Sequence, residues 1–223
     1  MDREHPIVSS GLKRLIAGLS VLRSPEPEQL LSLMATAGVC AEELEPWADY
    51  GHSPRDSYGR QLVWHGGHVE VMVMTWLPGD FSAIHDHGLA QWGAVQCFGQ
   101  AEHYSYRLRR LHLCDEQALP YGPGQVRAVS PALIHQMGNA GEQSFLSLHV
   151  YGCREPRTAV TASARVFDPD EGCIQFTSGG VFFALPESDI ERRQYGLTAD
   201  LAIRKRQAQL KAWRLQQMLA LAA

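Results

Sequence analysis

The sequence predicts a mostly β domain, an antiparallel barrel or double-sheet jelly roll, with helices at both ends. Over residues 58–151, short apolar or alternating segments are separated by Gly, Pro and Asp, with no helical segment between them, a texture typical of barrels and sandwiches. Residues 10–47 carry apolar side chains at helical spacing, and the end of the chain is rich in helix-favouring residues. We therefore expect an N-terminal helical segment over 1–55, the barrel over 56–190 and a C-terminal helix over 191–223.

The individual elements can be assigned in chain order. Pro25 and Pro27 divide the first apolar run into separate helices, because proline interrupts a helix. The barrel strands are predicted at VEVMVMTWL, WGAVQCFG, AEHYSYRL, SFLSLHVYG and, later, VFFALPES. Thr198 or Asp200 is the expected cap of the C-terminal helix. We expect an apolar stripe on that helix to pack on the barrel or to form an oligomer contact; it comprises Leu201, Leu210, Trp213 and Leu219.

Composition limits the possible functions. A chain of 223 residues with 45% hydrophobic content suits one large domain or a domain with appendages. A net charge of -4 without a basic run argues against nucleic-acid binding, and the sequence shows neither a signal peptide nor a membrane-spanning segment. The five cysteines form no CxxC pair, so we expect reduced thiols, a cytoplasmic location and no nucleic-acid or membrane partner. The oligomeric state stays open.

One short segment, AIHDHGLAQWG at residues 83–93, suggests a metal site. His85 and His87 lie one residue apart, and alternate side chains on a strand point to the same face. Two imidazoles on one face are half of a metal site, while Asp86 would point the other way. The alternative is a polar turn, and a lone histidine is more often an ordinary surface or core residue.

The surrounding glycines, proline and asparagine extend this segment into a longer pattern. Gly79-x5-His85-x-His87 is followed by a second set of residues in a fixed order, Gly99, Gly124, Pro131, His135 and Asn139. This order resembles the two-motif pattern of the cupins, which implies a cupin-type double-stranded β-helix barrel with the third histidine on a neighbouring strand. We therefore predict His85, His87 and His135 as metal ligands. The other histidines are expected to have ordinary roles: His5, His52, His65, His68, His103 and His112.

The usual cupin glutamate is absent from this pattern. Its slot falls at Trp92, with Gln91 beside it, and neither residue carries a carboxylate. The predicted site therefore has three neutral imidazoles, a ligand set that suits iron, copper, nickel and zinc alike.

A three-histidine cupin without the glutamate resembles the cysteine dioxygenase family, and two further segments extend the likeness. SLHVY matches the family's Ser-x-His-x-Tyr run, which implies that Ser147, His149 and Tyr151 form a hydrogen-bonded relay reaching the metal. YGRQLV matches the segment that binds the substrate carboxylate, which implies that role for Tyr58 and Arg60. The resemblance implies an Fe(II) cofactor and a reaction that converts L-cysteine and O2 to cysteine sulfinate. Taken singly, each of these residues has an ordinary structural explanation.

Two features leave the exact thiol open. The family's animal members have a cysteine at the slot assigned to Trp92, crosslinked to the tyrosine that matches Tyr151, whereas bacterial relatives often have glycine there. A tryptophan at this slot would reshape the pocket. Relatives that prefer 3-mercaptopropionate usually carry glutamine where Arg60 stands, so Arg60 favours cysteine, although a one-residue shift to Gln61 would reverse this inference.

Two other classes of function share the scaffold: a non-enzymatic ligand-binding cupin and a metal-dependent isomerase. Neither gives a use to the Ser147-His149-Tyr151 relay. Residues 154–170 have no assigned role and are expected to form a lid or a loop that completes the site.

Overall fold

A computed structural model describes residues 8–178 and 180–221, so His5 lies outside the described residues. The four α-helices are α1 (Ser10–Val21), α2 (Pro27–Ala37), α3 (Ala41–Leu44) and α4 (Leu201–Leu221). The strands are β1 (Gly59–His65), β2 (Val69–Trp76), β3 (Trp92–Cys97), β4 (Glu102–Arg109), β5 (His112–Ala118), β6 (Val126–Val129), β7 (Ile134–Gly138), β8 (Phe145–Gly152), β9 (Ala164–Asp168), β10 (Cys173–Thr177), β11 (Ile190–Tyr195) and β12 (Thr198–Ala199).

The strands form a five-stranded sheet in the order β1-β2-β8-β3-β6, a four-stranded sheet in the order β12-β5-β4-β7, and a small sheet of β11-β10-β9. All pairings are antiparallel except β12 with β5. One apolar core draws side chains from both larger sheets, for example Met72, Val95 and Met137. The mostly β, jelly-roll fold with helices at both ends is therefore confirmed. No helix in the described part of the chain is both long and apolar enough to cross a bilayer.

The N-terminal helices cover the outer face of the five-stranded sheet. The Ser9 side chain accepts the Leu12 N–H at the start of α1, and α2 begins at Pro27 and ends at Gly38, whose φ of 63° is left-handed. Leucines of α1 and α2 pack against the outward side chains of β2 and β8. β2 is buried on both faces as a result, which explains its near-continuous apolar sequence.

The predicted strand VFFALPES is wrong. Residues 181–186 are irregular and residues 187–189 form a 3-10 turn. The consecutive Phe182 and Phe183 both pack against the core, which strand alternation would not allow, and Pro186 follows shortly after. The Val181 carbonyl instead accepts the Ala83 N–H at 3.0 Å, which holds this segment against the barrel.

The C-terminal helix α4 begins at Leu201, directly after Asp200, one of its two expected caps, and strands β11 and β12 occupy much of residues 190–199 in the first part of that segment. Thr198 lies in β12, and the Asp200 carbonyl accepts the N–H of Arg204 in the first turn of α4. In the predicted apolar stripe, Leu201 is 58% exposed and Leu219 is 63% exposed, so these two residues do not pack on the barrel. The alternative, an oligomer contact, stays a prediction. The buried side chains of α4 are of two kinds. Ile203 packs in an apolar cluster with Leu113 and Ile134. Gln207 and Arg214 instead contact the polar side chains of Gln136 and Asp80.

Candidate metal centre

Three histidines converge inside the barrel. His135 lies in β7, and the extended segment that carries His85 and His87 joins it through two backbone hydrogen bonds of 2.9 Å between His85 and His135. This segment is an isolated bridge, not the regular strand expected from the spacing. All three side chains are buried, and their ligand nitrogens lie within 4.8 Å of one another.

Hydrogen bonds orient two of the three imidazoles. His85 Nδ1 donates to the Ala83 carbonyl at 2.9 Å, and His135 Nδ1 lies 2.9 Å from His103 Nε2. The Nε2 atoms of His87 and His135 are 3.0 Å apart. With Nδ1 engaged on His85 and His135, the Nε2 lone pairs are left to meet at one point, as metal-binding histidines require.

The burial of this cluster keeps the imidazoles neutral. Burial lowers the pKa of His85 to about 4, and burial together with neighbouring imidazoles lowers the pKa of His87 and of His135 well below the usual value. Metal ions bind the neutral form of histidine. Converging, oriented and neutral imidazoles therefore fit a transition metal with nitrogen preference.

Acid is expected to unfold the metal-free protein early. Burial also lowers the pKa of His149 to about 3, whereas in the unfolded chain it is about 6.5. Between these pH values the histidine is protonated in the unfolded chain and neutral in the folded chain. The free energy of unfolding therefore falls as the pH drops from 6.5 toward 4, by about 3 kcal/mol for each such histidine. Urea denaturation at several pH values measures this, and His149→Gln should flatten the slope by one proton. Equal stability at pH 7 and pH 5 would contradict the neutral, buried imidazoles.

The predicted relay residues form a continuous chain along β8. Ser147 Oγ lies 2.8 Å from His149 Nε2, and His149 Nδ1 lies 3.0 Å from the Tyr151 hydroxyl. The indole N–H of Trp76 donates to Ser147 Oγ at 2.8 Å. The Ser147 hydroxyl donates to His149 Nε2, which therefore carries no hydrogen. The ring hydrogen of His149 is then on Nδ1 and is donated to the Tyr151 oxygen. The Tyr151 hydroxyl hydrogen remains free to point into the cavity.

Tyr151 is held as a hydrogen-bond donor. It is buried, its ring centroid is 4.8 Å from that of His87, and burial raises its pKa above the usual value. A phenol with a raised pKa keeps its proton at neutral pH. The relay therefore positions a neutral O–H beside the three histidines.

A cavity of about 460 Å³, including its open mouth, joins these groups to the predicted carboxylate-binding residues. Its walls include the three histidines, Tyr58, Arg60, His149 and Tyr151, with apolar lining from Met72, Met74, Met137 and Val181. Ser147 lies behind His149 and does not reach the cavity. Burial raises the pKa of Tyr58 to about 12, and its ring stacks on Trp76 at 4.9 Å.

Arg60, and not Gln61, faces this cavity. Successive residues of β1 point to opposite sides of the sheet, and the Gln61 side chain approaches Asp49 on the other side, with 3.5 Å between Nε2 and Oδ2. Asp86 lies at the edge of the cavity with its carboxylate turned toward Arg165, from which it accepts hydrogen bonds of the backbone N–H and the side chain.

The residue facing Tyr151 is Gly93, which corrects the assignment of that slot to Trp92. Gly93 pairs with Tyr151 across β3 and β8, and a Cβ placed on Gly93 would lie 2.8 Å from Tyr151 Cδ1. Trp92 points outward and donates its indole N–H to the Arg23 carbonyl. Trp92 was assigned by counting residues along the chain from His87. Residues 88–89 form a turn, with Gly88 at a φ of 56°, and the residue of β3 that faces Tyr151 comes one position later than this count gives.

A Gly93→Ala change is expected to lower turnover more than stability. The added methyl would lie 2.7 Å from the Val150 carbonyl and 2.8 Å from the Tyr151 ring, so the ring must shift away from His87. Overpacking of this kind costs about 1–3 kcal/mol, and the displaced hydroxyl should reduce activity at least tenfold. Thermal unfolding and steady-state oxygen consumption measure the two effects, with Ala94→Gly on the outer face as control. Unchanged activity in Gly93→Ala would show that turnover does not depend on the position of the Tyr151 hydroxyl.

Residues 154–170 complete the cavity. The buried Glu70 carboxylate accepts the Val160 N–H at 3.0 Å and the Thr161 hydroxyl at 3.2 Å. This anchors the segment so that Thr161 and Ala164 form part of the wall. The segment ends in β9, a strand that the sequence did not indicate.

His103 was expected to have an ordinary role, yet it contacts the site. It is buried in β4, and its Nε2 meets His135. The sequence offers no motif for it, because its neighbour depends on how β4 pairs with β7.

A sequence model described as cysteine dioxygenase type I matches residues 13–160, well over half of the chain. The chain belongs to the cysteine dioxygenase type I family. That family is one of cupin-type thiol dioxygenases. The matched segment contains the three histidines, Arg60 and the relay, and it ends before α4.

Several solved structures share a weaker likeness. A recombinant oxalate oxidase in complex with glycolate is 13% identical, with a TM-score of 0.40 over 49% of this chain; the match spans 57% of the oxidase. An uncharacterized conserved protein with a double-stranded β-helix domain from Klebsiella pneumoniae is 17% identical, with a TM-score of 0.40 over 51% of this chain and 84% of its own. An RmlC-like cupin protein from Desulfovibrio desulfuricans is 14% identical, with a TM-score of 0.35 over 43% of this chain and 81% of its own.

Proposed function

We propose that this protein is an iron(II)-dependent dioxygenase that converts L-cysteine and O2 to cysteine sulfinate. The observation that carries the proposal is a single cavity in which three neutral, converging histidines face both Arg60 and the Tyr151 hydroxyl. Both oxygen atoms of O2 end on the substrate sulfur, so the thiol and O2 together account for every atom of the sulfinic acid.

Charge in the cavity favours an anionic substrate. Among the lining side chains, the charged groups are Arg60 and Asp86, and Asp86 is paired with Arg165 outside. Arg60 therefore gives the cavity an unbalanced positive charge, and its planar guanidinium can hold a carboxylate through two charge-assisted hydrogen bonds. Tyr58, whose raised pKa keeps it protonated, offers a further hydrogen-bond donor at the same end.

The three histidines would hold the iron. Bound iron(II) lowers the pKa of a substrate thiol and supplies the electrons that activate O2. The protein contributes position: Arg60 fixes the carboxylate end, the apolar walls exclude water, and Tyr151 donates a hydrogen bond toward the reacting sulfur and oxygen. Ser147 and His149 keep that hydroxyl in place.

The identity of the carboxylate partner supports cysteine over 3-mercaptopropionate. Relatives that prefer the latter usually carry glutamine at this point, whereas here arginine lines the cavity and Gln61 faces Asp49. The cytoplasmic location expected from unpaired cysteines remains part of this proposal.

The test is oxygen uptake by the Fe(II)-loaded protein with L-cysteine and 3-mercaptopropionate in parallel, with sulfinate quantified. We expect one sulfinate per O2 from cysteine, a tenfold or larger rise in KM in Arg60→Gln, and no change in the control Gln61→Asn. Tyr151→Phe should lower turnover or separate oxygen use from sulfinate formation. Preference for 3-mercaptopropionate would overturn the substrate, and no uptake by an iron-loaded protein would favour a binding protein or an isomerase.

A further inference from the structure

The three predicted ligands differ in what orients them. His85 is held by a backbone carbonyl, and His87 Nδ1 is buried without a hydrogen-bond partner among the described residues. His135 is oriented by another side chain, His103, at 2.9 Å. His103 lies outside the cavity wall and therefore does not touch the substrate.

The positions of the ring hydrogens follow from the proposed metal centre. A metal held by His135 Nε2 leaves the ring hydrogen of His135 on Nδ1, the atom that lies 2.9 Å from His103 Nε2. His103 Nε2 must then be the acceptor, with its own hydrogen on Nδ1.

The surroundings of His103 fix its ring. It is 5% exposed, and its ring stands edge-on to Tyr121 with 5.3 Å between centroids. The Arg127 guanidinium lies 4.3 Å from the centre of the Tyr121 ring. β4 and β7 pair His103 with Met137, so its contact with His135 runs diagonally across the two strands.

We propose that His103 is a positioning residue that accepts the Nδ1–H of His135 and so holds the Nε2 of His135 at the metal position. The inference rests on the metal centre of the proposed function. Metal-binding histidines commonly donate this N–H to a carboxylate, a carbonyl or water, and loss of such partners typically weakens metal binding about 10–100-fold. A neutral imidazole in this role orients His135 without adding a negative charge to the site.

The first test is anaerobic titration of the protein with Fe(II), and with Co(II) as a spectroscopic probe. We expect His103→Phe, which keeps the ring shape but accepts no hydrogen bond, to weaken the affinity about 10–100-fold and to alter the Co(II) absorption spectrum. His103→Gln supplies an amide oxygen and should recover most of the affinity. His68→Phe is the control, because it removes another buried, hydrogen-bonded histidine away from the cavity.

A second measurement needs no variant. Nitrogen-15 NMR of the Zn(II)-loaded wild-type protein should show His135 with a hydrogen on Nδ1 and His103 with Nε2 unprotonated. Unchanged affinity in a folded His103→Phe, or metal on His135 Nδ1, would overturn the role of His103 alone. A wild-type protein that binds none of these metals would overturn the metal centre and this inference together.

Discussion

Replacing His87 with alanine should abolish stable metal binding and reduce sulfinate formation at least a thousandfold. His87 is one of the three proposed ligands, and its Nε2 lies 3.0 Å from that of His135. Asp86, which also lines the cavity, does not replace it because its carboxylate is paired with Arg165. Metal ions contribute several kcal/mol to catalysis, and about 4 kcal/mol corresponds to roughly a thousandfold in rate.

The measurement is metal content by elemental analysis together with sulfinate yield. His112→Ala is the matched control, because His112 is a half-exposed histidine that does not line the cavity. Its side chain contacts Thr198 and Asp200. A His87→Ala protein that retained full metal content and turnover would remove His87 from the ligand set.

The largest effect on stability is expected for Asp80→Ala. Asp80 is 1% exposed; its carboxylate lies 2.6 Å from Arg214 Nη1 and 3.0 Å from His52 Nε2, and it accepts the Leu77 N–H at 2.7 Å. Burial opposes protonation of His52, but the hydrogen bond and charge of Asp80 raise its pKa overall. Removing one partner of a buried ion pair costs about 3–5 kcal/mol, because the other charge stays buried without it.

Urea denaturation measures this loss, and an exposed ion pair provides the control. Arg109 and Asp115 lie 2.7 Å apart at the surface, so Arg109→Ala should cost less than about 1 kcal/mol. The double change Asp80→Leu with Arg214→Met should recover much of the loss, since apolar groups often replace a buried pair without penalty. Equal effects of Asp80→Ala and Arg109→Ala would show that the buried pair does not stabilise the fold.

The sequence was sufficient for features that depend on local spacing. The alternation of Ser147, His149 and Tyr151 predicted that their side chains share one face of a strand. The choice between Arg60 and Gln61 stayed open in the sequence and came from the structure, in which Arg60 lines the cavity. The three histidines were found because glycines and a proline mark the turns on either side of each motif. These features depend on residues that are close together in the sequence, and the geometry of a strand fixes how such residues are placed.

Features that depend on the pairing of distant strands were missed. His103 meets His135 because of how β4 and β7 pair, and no residue next to His103 indicates that partner. The turn at residues 88–89 moved the position opposite Tyr151 from Trp92 to Gly93. Packing of the C-terminal helix on the barrel was one of two expectations, but its polar contacts were missed, because hydrophobic periodicity does not reveal them.

That polar docking has a consequence for how the protein opens. Helix α4 carries five cationic residues and no acidic one; Arg214 and Lys211 bind Asp80 and Asp168 of the barrel, while Gln207 binds Gln136, the neighbour of His135. Detachment of α4 would expose Ile203 and the contact of Trp213 with Gly79 but would leave the two larger apolar clusters covered, so the helix should behave as a separate unfolding unit with a weak denaturant dependence. The amide hydrogens of α4 should exchange faster than those of the barrel, and faster still at high salt, which weakens the ion pairs. Each opening would also expose to water the outer side of β7, the strand that carries His135.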